Sequence, residues 1–310
     1  MQDDVTTYLV KRLANTIAVL LGCSLVVFVI LRLSGNPVSL MLSDPAATPE
    51  DFQRVSQALG LDKPIPVQYL IFLKGILSGN FGVSYRYGLQ AMDVCLERLP
   101  ATVELTLVAM ALVVIVGVPL GILAALRRGS WVDHLISTIT LFGQSMPNYW
   151  VGIMLILLLS VSLGLLPTSG RGGLRHLIMP AVVLALHPIS KITRLARSEF
   201  LEILSRDYVR TARAKGLKET VVVMKHALRN ASLSLVTVIG MDVGYLLGGA
   251  IVTETVFGWP GIGKLMVDAV TQRDFPIVQA ATFVITTIVV LTNLTVDLTY
   301  SVLDPRVRLR

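Results

Sequence analysis

The chain has 310 residues, of which 54% are hydrophobic and only 15% are charged, whereas soluble domains average about 25% charged residues. With a mean hydropathy of +0.71, this composition excludes an ordinary soluble domain and predicts a polytopic membrane protein. The net charge of +7 is therefore interpreted by its position along the chain, as a sign of orientation and not of nucleic-acid binding.

Six apolar segments are predicted to cross the bilayer, which takes about 20 helical residues. They are 13–33, 101–126, 134–165, 177–192, 233–256 and 277–302, the fourth being short. The N-terminal segment MQDDVTTYLVKRLANT is followed by about 20 apolar residues with no small-residue cleavage site, so that run is predicted to be a signal anchor or first span and not a removable signal peptide. Of the Lys and Arg residues, 17 lie in segments assigned to the inside and nine in segments assigned to the outside. Because positive residues favour cytoplasmic loops, both termini are predicted to be cytoplasmic.

The segment 34–100 is predicted to be an extracytoplasmic region with short helices, separate from residues 1–33 and from the core of residues 101–310. Gly35-Asn36-Pro37 is typical of a turn. Thr48 followed by Pro49 indicates the start of a helix that ends at Gly60. A second helix is predicted to follow Pro64-Ile65-Pro66 and to run through Gln68 to Leu77.

Polar residues interrupt the third predicted span within FGQSMPNYW. Gln144, Ser145 and Asn148 are too polar to face lipid in the middle of a membrane. They are expected to face other helices or a water-filled path.

Three glycines line one face of the fifth predicted span at four-residue intervals, namely Gly240, Gly244 and Gly248. Glycines at this spacing let another backbone approach closely. The close neighbour is expected to be either another helix of this chain or a partner subunit across a pathway.

Asp242 lies nearly opposite Gly244 on the same helix, near the middle of the bilayer. A carboxylate there is costly, by about 2.5 to 3.5 kcal/mol or more. It is expected to face either a translocation path or a basic group such as Lys191. His187, beside Pro188 in the fourth span, is predicted to be a packed histidine and not a ligand.

The longest strongly basic segment runs from Arg206 to Asn230. A helix is predicted from Glu199 to Lys215, ended by Gly216 in a left-handed turn. Such a helix would place basic residues on one face and apolar or small residues on the other. The basic face would hold Arg206, Arg210 and Arg213, and the apolar face Leu201, Leu204, Tyr208 and Ala212. By its chemistry alone, the helix could lie on anionic headgroups or dock on a protein.

Ala212-Arg213-Ala214-Lys215-Gly216, followed by His226 and Leu228-Arg229-Asn230, resembles the EAA loop of binding-protein-dependent ABC permeases. RDYVRTARAKGL is more narrowly similar to the loop of the dipeptide, oligopeptide and nickel permease family. The family's Glu-Ala-Ala is here Thr211-Ala212-Arg213, so the acidic first position is absent. The resemblance implies that the cytoplasmic loop 198–231 is a coupling loop that fits a groove of an ATPase subunit. The coupling residues it implies are Asp207, Tyr208, Arg210, Thr211, Ala212, Arg213, Ala214, Lys215 and Gly216.

Other phrases along the chain resemble the same family, among them LGLDKPIPVQY, GNFGVSYR, SMPNYW and the C-terminal LDPRVRLR. The most specific is VFGWPGIGKLMVDAVTQRDFPIVQ, with a glycine–proline turn and then a polar helix. The resemblance implies an external scoop loop at 257–276 that receives a substrate-binding protein. The implied docking residues are Trp259, Pro260, Gly261, Lys264 and Asp268.

The resemblance implies the all-α fold of a type I ABC importer permease in the bacterial plasma (inner) membrane, with peptides as cargo and nickel or a glutathione-like solute as alternatives. The implied partners are a second homologous permease subunit, forming a heterodimer, two ATP-binding subunits and a periplasmic or lipid-anchored binding protein. No cofactor, metal or nucleic acid is expected. The chain is expected not to be an enzyme, because it has no phosphate-binding G-x-x-x-x-G-K-[ST] motif.

Two hypotheses from other classes are weaker. A stand-alone secondary transporter would call for inverted repeats, which the sequence lacks, and it leaves the basic loop unexplained. A membrane enzyme would need a nucleophile–base pair or a metal-ligand cluster, and neither pattern is visible in the sequence.

Overall fold

The computed structural model describes residues 2–33 and 60–303, with residues 48, 50, 53, 56 and 57 between them. Most of these residues are helical, and their β structure amounts to one bridge between Val83 and Gln90. The predicted turn at Gly35-Asn36-Pro37 and most of the helix predicted from Thr48 lie outside the described residues. The helix predicted to follow Pro64-Ile65-Pro66 and to end at Leu77 is present, and it begins at Ile65.

From Ile65 onward, the helices are joined by connections of two to 13 residues. In chain order they are α1 Gln2–Leu33, α2 Ile65–Leu77, α3 Ala91–Leu126, α4 Trp131–Ser145, α5 Asn148–Ser162, α6 Leu174–Leu204, α7 Asp207–Ala214, α8 Glu219–Val256, α9 Ile262–Thr271 and α10 Phe275–Leu303. Within α3, α5 and α8 lie π-helical stretches at Val113–Gly117, Ile156–Ser162 and Val222–Ala227.

Four helices in the described part of the chain are long and apolar enough to cross a membrane: α3, α6, α8 and α10. The pair α4 and α5 meets the same condition only together, with a bend of 105° between them. In α1 the apolar stretch with described side chains is Ala14–Ile30. The predicted all-α membrane bundle is confirmed, whereas the number of six spans stays a prediction.

The helices differ from several of the predicted spans in shape or bounds. The third span is divided within FGQSMPNYW, where an interruption was predicted: α4 ends at Ser145, and Met146 and Pro147 are extended before α5 begins, because a residue that precedes a proline is pushed out of helical geometry. The fourth is not short, since α6 continues through Pro180 and Pro188 to Leu204. The fifth begins at Glu219 and not at residue 233.

The chain divides into two compact units, one of residues 1–101 and 260–290 and the other of residues 102–259 and 291–310. In the first unit, buried apolar residues of α9 and α10 pack with Phe81 and Cys95. A line of aromatic rings, Phe28, Phe72, Phe81 and Phe283, adds to this core. In the loop before α3, the Ser84 hydroxyl donates a hydrogen bond to the carboxylate of Asp274 and so fixes the loop to this core.

In the second unit, α6 packs against α3, α4 and α8. Its contact with α3 is the tightest, because a Cβ on Gly121 would lie 2.5 Å from both the Cβ of Ala196 and the carbonyl oxygen of Thr193. At Gly143 of α4 a Cβ would lie 2.5 Å from the hydroxyl of Ser190. Small residues thus let two neighbouring helices, α3 and α4, approach α6 closely, as helices in membranes commonly do.

Candidate functional sites

A group of polar side chains lies between α6 and α8 in the second unit. His187 and Lys191 are four residues apart on α6, and Asp242 and Tyr245 are three apart on α8, so each pair shares one helix face. The Nζ of Lys191 donates a hydrogen bond to Oδ1 of Asp242 at 2.7 Å. The rings of His187 and Tyr245 stack with centroids 5.0 Å apart. Asn148, the first residue of α5, hydrogen-bonds Tyr245; these five residues are called the polar cluster below.

The polar cluster is closed on one side and open on the other. Asp242 is 4% exposed, while the side chain of Lys191 is 42% exposed and Tyr245 is 41% exposed. The second carboxylate oxygen of Asp242, Oδ2, is buried without a hydrogen-bond partner. Asp242 was expected to face either a translocation path or a basic group. The structure shows the basic group, Lys191, whose own side chain is partly exposed.

One member of the polar cluster, Tyr245, was missed in the sequence, whereas Lys191 had been named as a possible partner of Asp242. Tyr245 lies three residues after Asp242. Helical spacing of polar residues within an apolar span was the available signal. The stacking of Tyr245 on His187 of another helix needed the structure.

The other residues expected along a pathway lie apart from the polar cluster's contacts. Gln144 is half-buried, and the hydroxyl of Ser145 donates to the Leu141 carbonyl of its own helix at 2.9 Å. Gly240 and Gly244 are half-buried. A Cβ on Gly248 would meet no atom within 4 Å, so close packing inside this chain does not explain that glycine.

The basic segment forms the short helix α7, but not as predicted. The single helix from Glu199 to Lys215 is wrong: α6 ends at Leu204, and α7 begins at Asp207 after the extended residue Arg206. This break changes which residues share a face. Val209 and Ala212 are buried, whereas Tyr208, expected on the apolar face, is exposed, and its hydroxyl accepts a hydrogen bond from Asn230 at 2.9 Å.

The end of α7 agrees with the sequence. Gly216 has a φ of +76°, the left-handed conformation that favours glycine. Arg213 bridges the turn to Glu219 at 2.6 Å, and the hydrogen bond from its guanidinium raises the pKa of Arg213. The remaining residues predicted for coupling are exposed: Asp207, Arg210, Thr211, Ala214 and Lys215. The exposed side of α7 is therefore polar and mostly basic, and its buried side is small and apolar.

The residues expected to dock a binding protein differ in exposure. The side chain of Trp259 is completely buried, and its backbone N–H donates to the Glu254 carbonyl at 2.8 Å. The indole therefore cannot lie on a docking surface in this conformation. Gly261 is buried and Pro260 is half-buried. On α9, Lys264 and Asp268 form an ion pair of 2.6 Å at a partly exposed face.

A partly buried ion pair that the sequence did not suggest joins α4 to α6. Arg197 donates two hydrogen bonds to Asp133, at 2.6 and 2.8 Å. The same carboxylate accepts from the N–H of Gly129 at 3.0 Å. Bidentate pairs of this type fix geometry as well as charge, so the start of α4 is clamped to the last third of α6.

Comparison with known proteins agrees with this architecture. Residues 117–309 match the family described as the inner membrane component of binding-protein-dependent transport systems. Residues 5–106 match a family described as the N-terminal part of such membrane components. The chain is 40% identical to the dipeptide transport system permease protein DppB of Escherichia coli K12, over 97% of this chain and 98% of that protein. It is also 40% identical to the glutathione transport system permease protein GsiC of Salmonella paratyphi A, with the same coverage.

A solved inward-facing structure of the MetNI methionine ABC transporter has the same fold over 69% of this chain and 97% of that one, with a TM-score of 0.58 and 19% identity. The architecture is therefore that of a type I ABC importer permease. The chain belongs to the inner membrane components of binding-protein-dependent transport systems. It is a permease subunit, and the resemblance stated from the coupling loop is confirmed.

Proposed function

We propose that this chain forms one half of the translocation pathway of an ATP-driven importer for di- or oligopeptides. The observation that carries the proposal is the end-to-end similarity to a dipeptide permease, at 40% identity. A peptide with free ends carries one positive and one negative charge, and the polar cluster holds one of each at 2.7 Å. The glutathione permease relative keeps a glutathione-like solute as an alternative cargo, and the implied family also admits nickel.

We assign the contact with the ATPase subunits to α7. Its exposed polar surface and its fixed end at Gly216 support docking in a groove of an ATPase subunit. The arrangement calls for two ATP-binding subunits, and hydrolysis belongs to them. The loop 198–231 is then cytoplasmic, and so are both termini.

We assign the contact with the substrate-binding protein to the loop 257–276. Its partly exposed docking residues are Lys264 and Asp268 of α9. A periplasmic or lipid-anchored binding protein would deliver substrate there. The open position at Gly248 supports close approach by a helix of a second, homologous permease subunit, so the pathway would lie between two different chains in the plasma membrane.

Reconstitution tests the whole proposal. The chain is co-expressed with the second permease subunit and the ATPase subunits from its own genome, and is placed in proteoliposomes with the binding protein outside and ATP inside. We expect labelled Ala-Ala to be taken up and to stimulate ATP hydrolysis. Uptake of nickel or of glutathione, with no uptake of Ala-Ala or a tetrapeptide, would overturn the peptide assignment. Uptake by this chain without ATPase subunits would favour a secondary transporter.

A further inference from the structure

We propose that the Lys191–Asp242 ion pair is an exchange site for the two charged ends of a peptide. In the free permease the pair is closed. When a peptide passes, its α-ammonium replaces Lys191 on Asp242, and its α-carboxylate binds the released Lys191. This inference rests on the proposed peptide import and deepens it, because it names the chemical groups that the pathway recognises.

The carboxylate of Asp242 has capacity that the folded chain leaves unused. One oxygen accepts from Lys191 at 2.7 Å, while Oδ2 is buried without a hydrogen-bond partner. A buried acceptor without a donor is costly. An ammonium group brings three N–H donors, so a peptide N-terminus can satisfy both oxygens at once.

Lys191 is suited to the other half of the exchange. Its side chain is 42% exposed, against 6% for that of Asp242, so the lysine can swing into the open space while the carboxylate stays in place. A lysine has a long flexible stem and a compact charge. The two ends of an extended dipeptide lie about 5 to 7 Å apart, and the flexible stem allows the lysine to follow that span.

The rest of the polar cluster fits a peptide better than a metal ion. The stacked rings of His187 and Tyr245 form an aromatic wall beside the pair, which suits an apolar side chain or a peptide plane. A divalent cation approaching Asp242 would instead meet the ammonium of Lys191. In the described part of the chain, His, Cys, Asp and Glu nowhere form a group of three able to hold a metal ion.

The first test uses the unaltered, assembled transporter. Lysine acylation followed by mass spectrometry reports the accessibility of Lys191, with exposed Lys215 as a reference site. We expect Ala-Ala, supplied with the binding protein, to change the labelling of Lys191 at least about twofold, whereas N-acetyl-Ala-Ala-amide should not change it. Equal labelling of Lys191 with and without Ala-Ala under transport would overturn the proposal.

The second test compares uptake of Ala-Ala, N-acetyl-Ala-Ala and Ala-Ala-amide by variants with the same binding protein. Because that protein is unchanged, a change in the uptake ratios belongs to the permease. Asp242→Asn should lower Ala-Ala uptake about tenfold or more while changing N-acetyl-Ala-Ala uptake little. Lys191→Gln should likewise lower the uptake of Ala-Ala about tenfold or more while changing the uptake of Ala-Ala-amide little. Glu104→Gln, which breaks the exposed ion pair with Arg171, is the control and should leave all ratios unchanged.

A charge swap separates an exchange site from an ion pair that only holds the fold. Lys191→Asp with Asp242→Lys keeps one charge of each sign but exchanges their places. A pair that only holds the fold should recover assembly and transport together, and that result would overturn the proposal. An exchange site should recover assembly without recovering the wild-type uptake ratios. If Ala-Ala is not imported at all, the peptide assignment fails; if it is imported with unchanged ratios in every variant, the exchange site alone fails.

Discussion

At the scale of single residues, Asp242 shows how a membrane span accommodates a carboxylate. The charge is buried, and its one partner, Lys191, comes from the neighbouring helix α6. Removing one member of a buried ion pair is costly because the other charge stays buried, whereas replacing both by apolar residues is often nearly neutral.

This difference gives a stability prediction. Lys191→Met should lower the melting temperature of the purified permease clearly, because it leaves Asp242 without its partner. The double variant Lys191→Met with Asp242→Leu should recover most of the loss without recovering peptide uptake. The measurement is thermal unfolding in detergent. The control is Arg171→Met, which breaks the ion pair with Glu104, in which each side chain is about 40% exposed; it should lower the melting temperature only slightly. A double variant less stable than Lys191→Met would contradict this account.

Gly216 carries a second prediction at this scale, since its φ of +76° is a conformation that β-branched residues avoid. Gly216→Val should leave the chain in the membrane but displace the end of α7, and so reduce substrate-stimulated ATP hydrolysis about tenfold or more. Gly216→Asn is the matched control, because asparagine tolerates left-handed geometry better than other non-glycine residues. Full stimulated ATPase activity in the valine variant would argue against α7 as the coupling helix.

At the scale of helices, the contact between α3 and α6 depends on a missing side chain. A Cβ on Gly121 would overlap the backbone of α6 at Thr193 as well as Ala196, and a backbone cannot turn away as a flexible side chain can. Gly121→Ala should therefore destabilise the permease by about 1 to 3 kcal/mol, measured as a lower melting temperature and a lower yield of monodisperse protein. Gly248→Ala, where the added methyl meets no atom of this chain within 4 Å, should change neither quantity when the chain is studied alone.

The helices also show what the sequence could and could not predict. Apolar length was enough to find the apolar parts of α3, α8 and α10, because burial in lipid is a property of composition, but it did not predict where α3 and α8 begin. The prolines were not equally informative: Pro147 ends a helix, while Pro180 and Pro188 lie inside α6. Those two are buried in the packed side of α6, where neighbouring helices can offset the lost backbone hydrogen bonds, and no local pattern reports such neighbours.

The functional residues divide in the same way. The end of α7 at Gly216 was predictable, because left-handed geometry selects glycine locally. The break at Arg206 was not, since neither glycine nor proline marks it. The family resemblance implied that Trp259 is a docking residue, and only the structure reveals that it is buried. Contacts between distant segments, such as Arg197 with Asp133, leave no trace in the spacing of residues.

At the scale of the whole molecule, the proposed orientation can be tested on intact cells. In a chain with Cys23 and Cys95 replaced by alanine, a cysteine at Asp268 should react with an impermeant thiol reagent added outside. A cysteine at Lys215, beyond the end of α7, should react only after the membrane is opened. Asp268 is partly exposed and Lys215 is exposed, so access is set by the membrane and not by burial. The reverse pattern would invert the topology.

Because α6 is long, a small tilt of this helix displaces residues that lie far from the pivot. The helix is a continuous rod of 31 residues, about 46 Å long at 1.5 Å per residue. It is clamped to α4 by Arg197 and leads through two residues into α7. Lys191 lies 17 residues from its Leu174 end, so a tilt of about 10° about that end moves the lysine by about 4 Å. That displacement exceeds the 2.7 Å that separates Lys191 from Asp242. If α7 is the coupling helix, as proposed, a displacement of α7 by an ATPase subunit would therefore also separate Lys191 from Asp242.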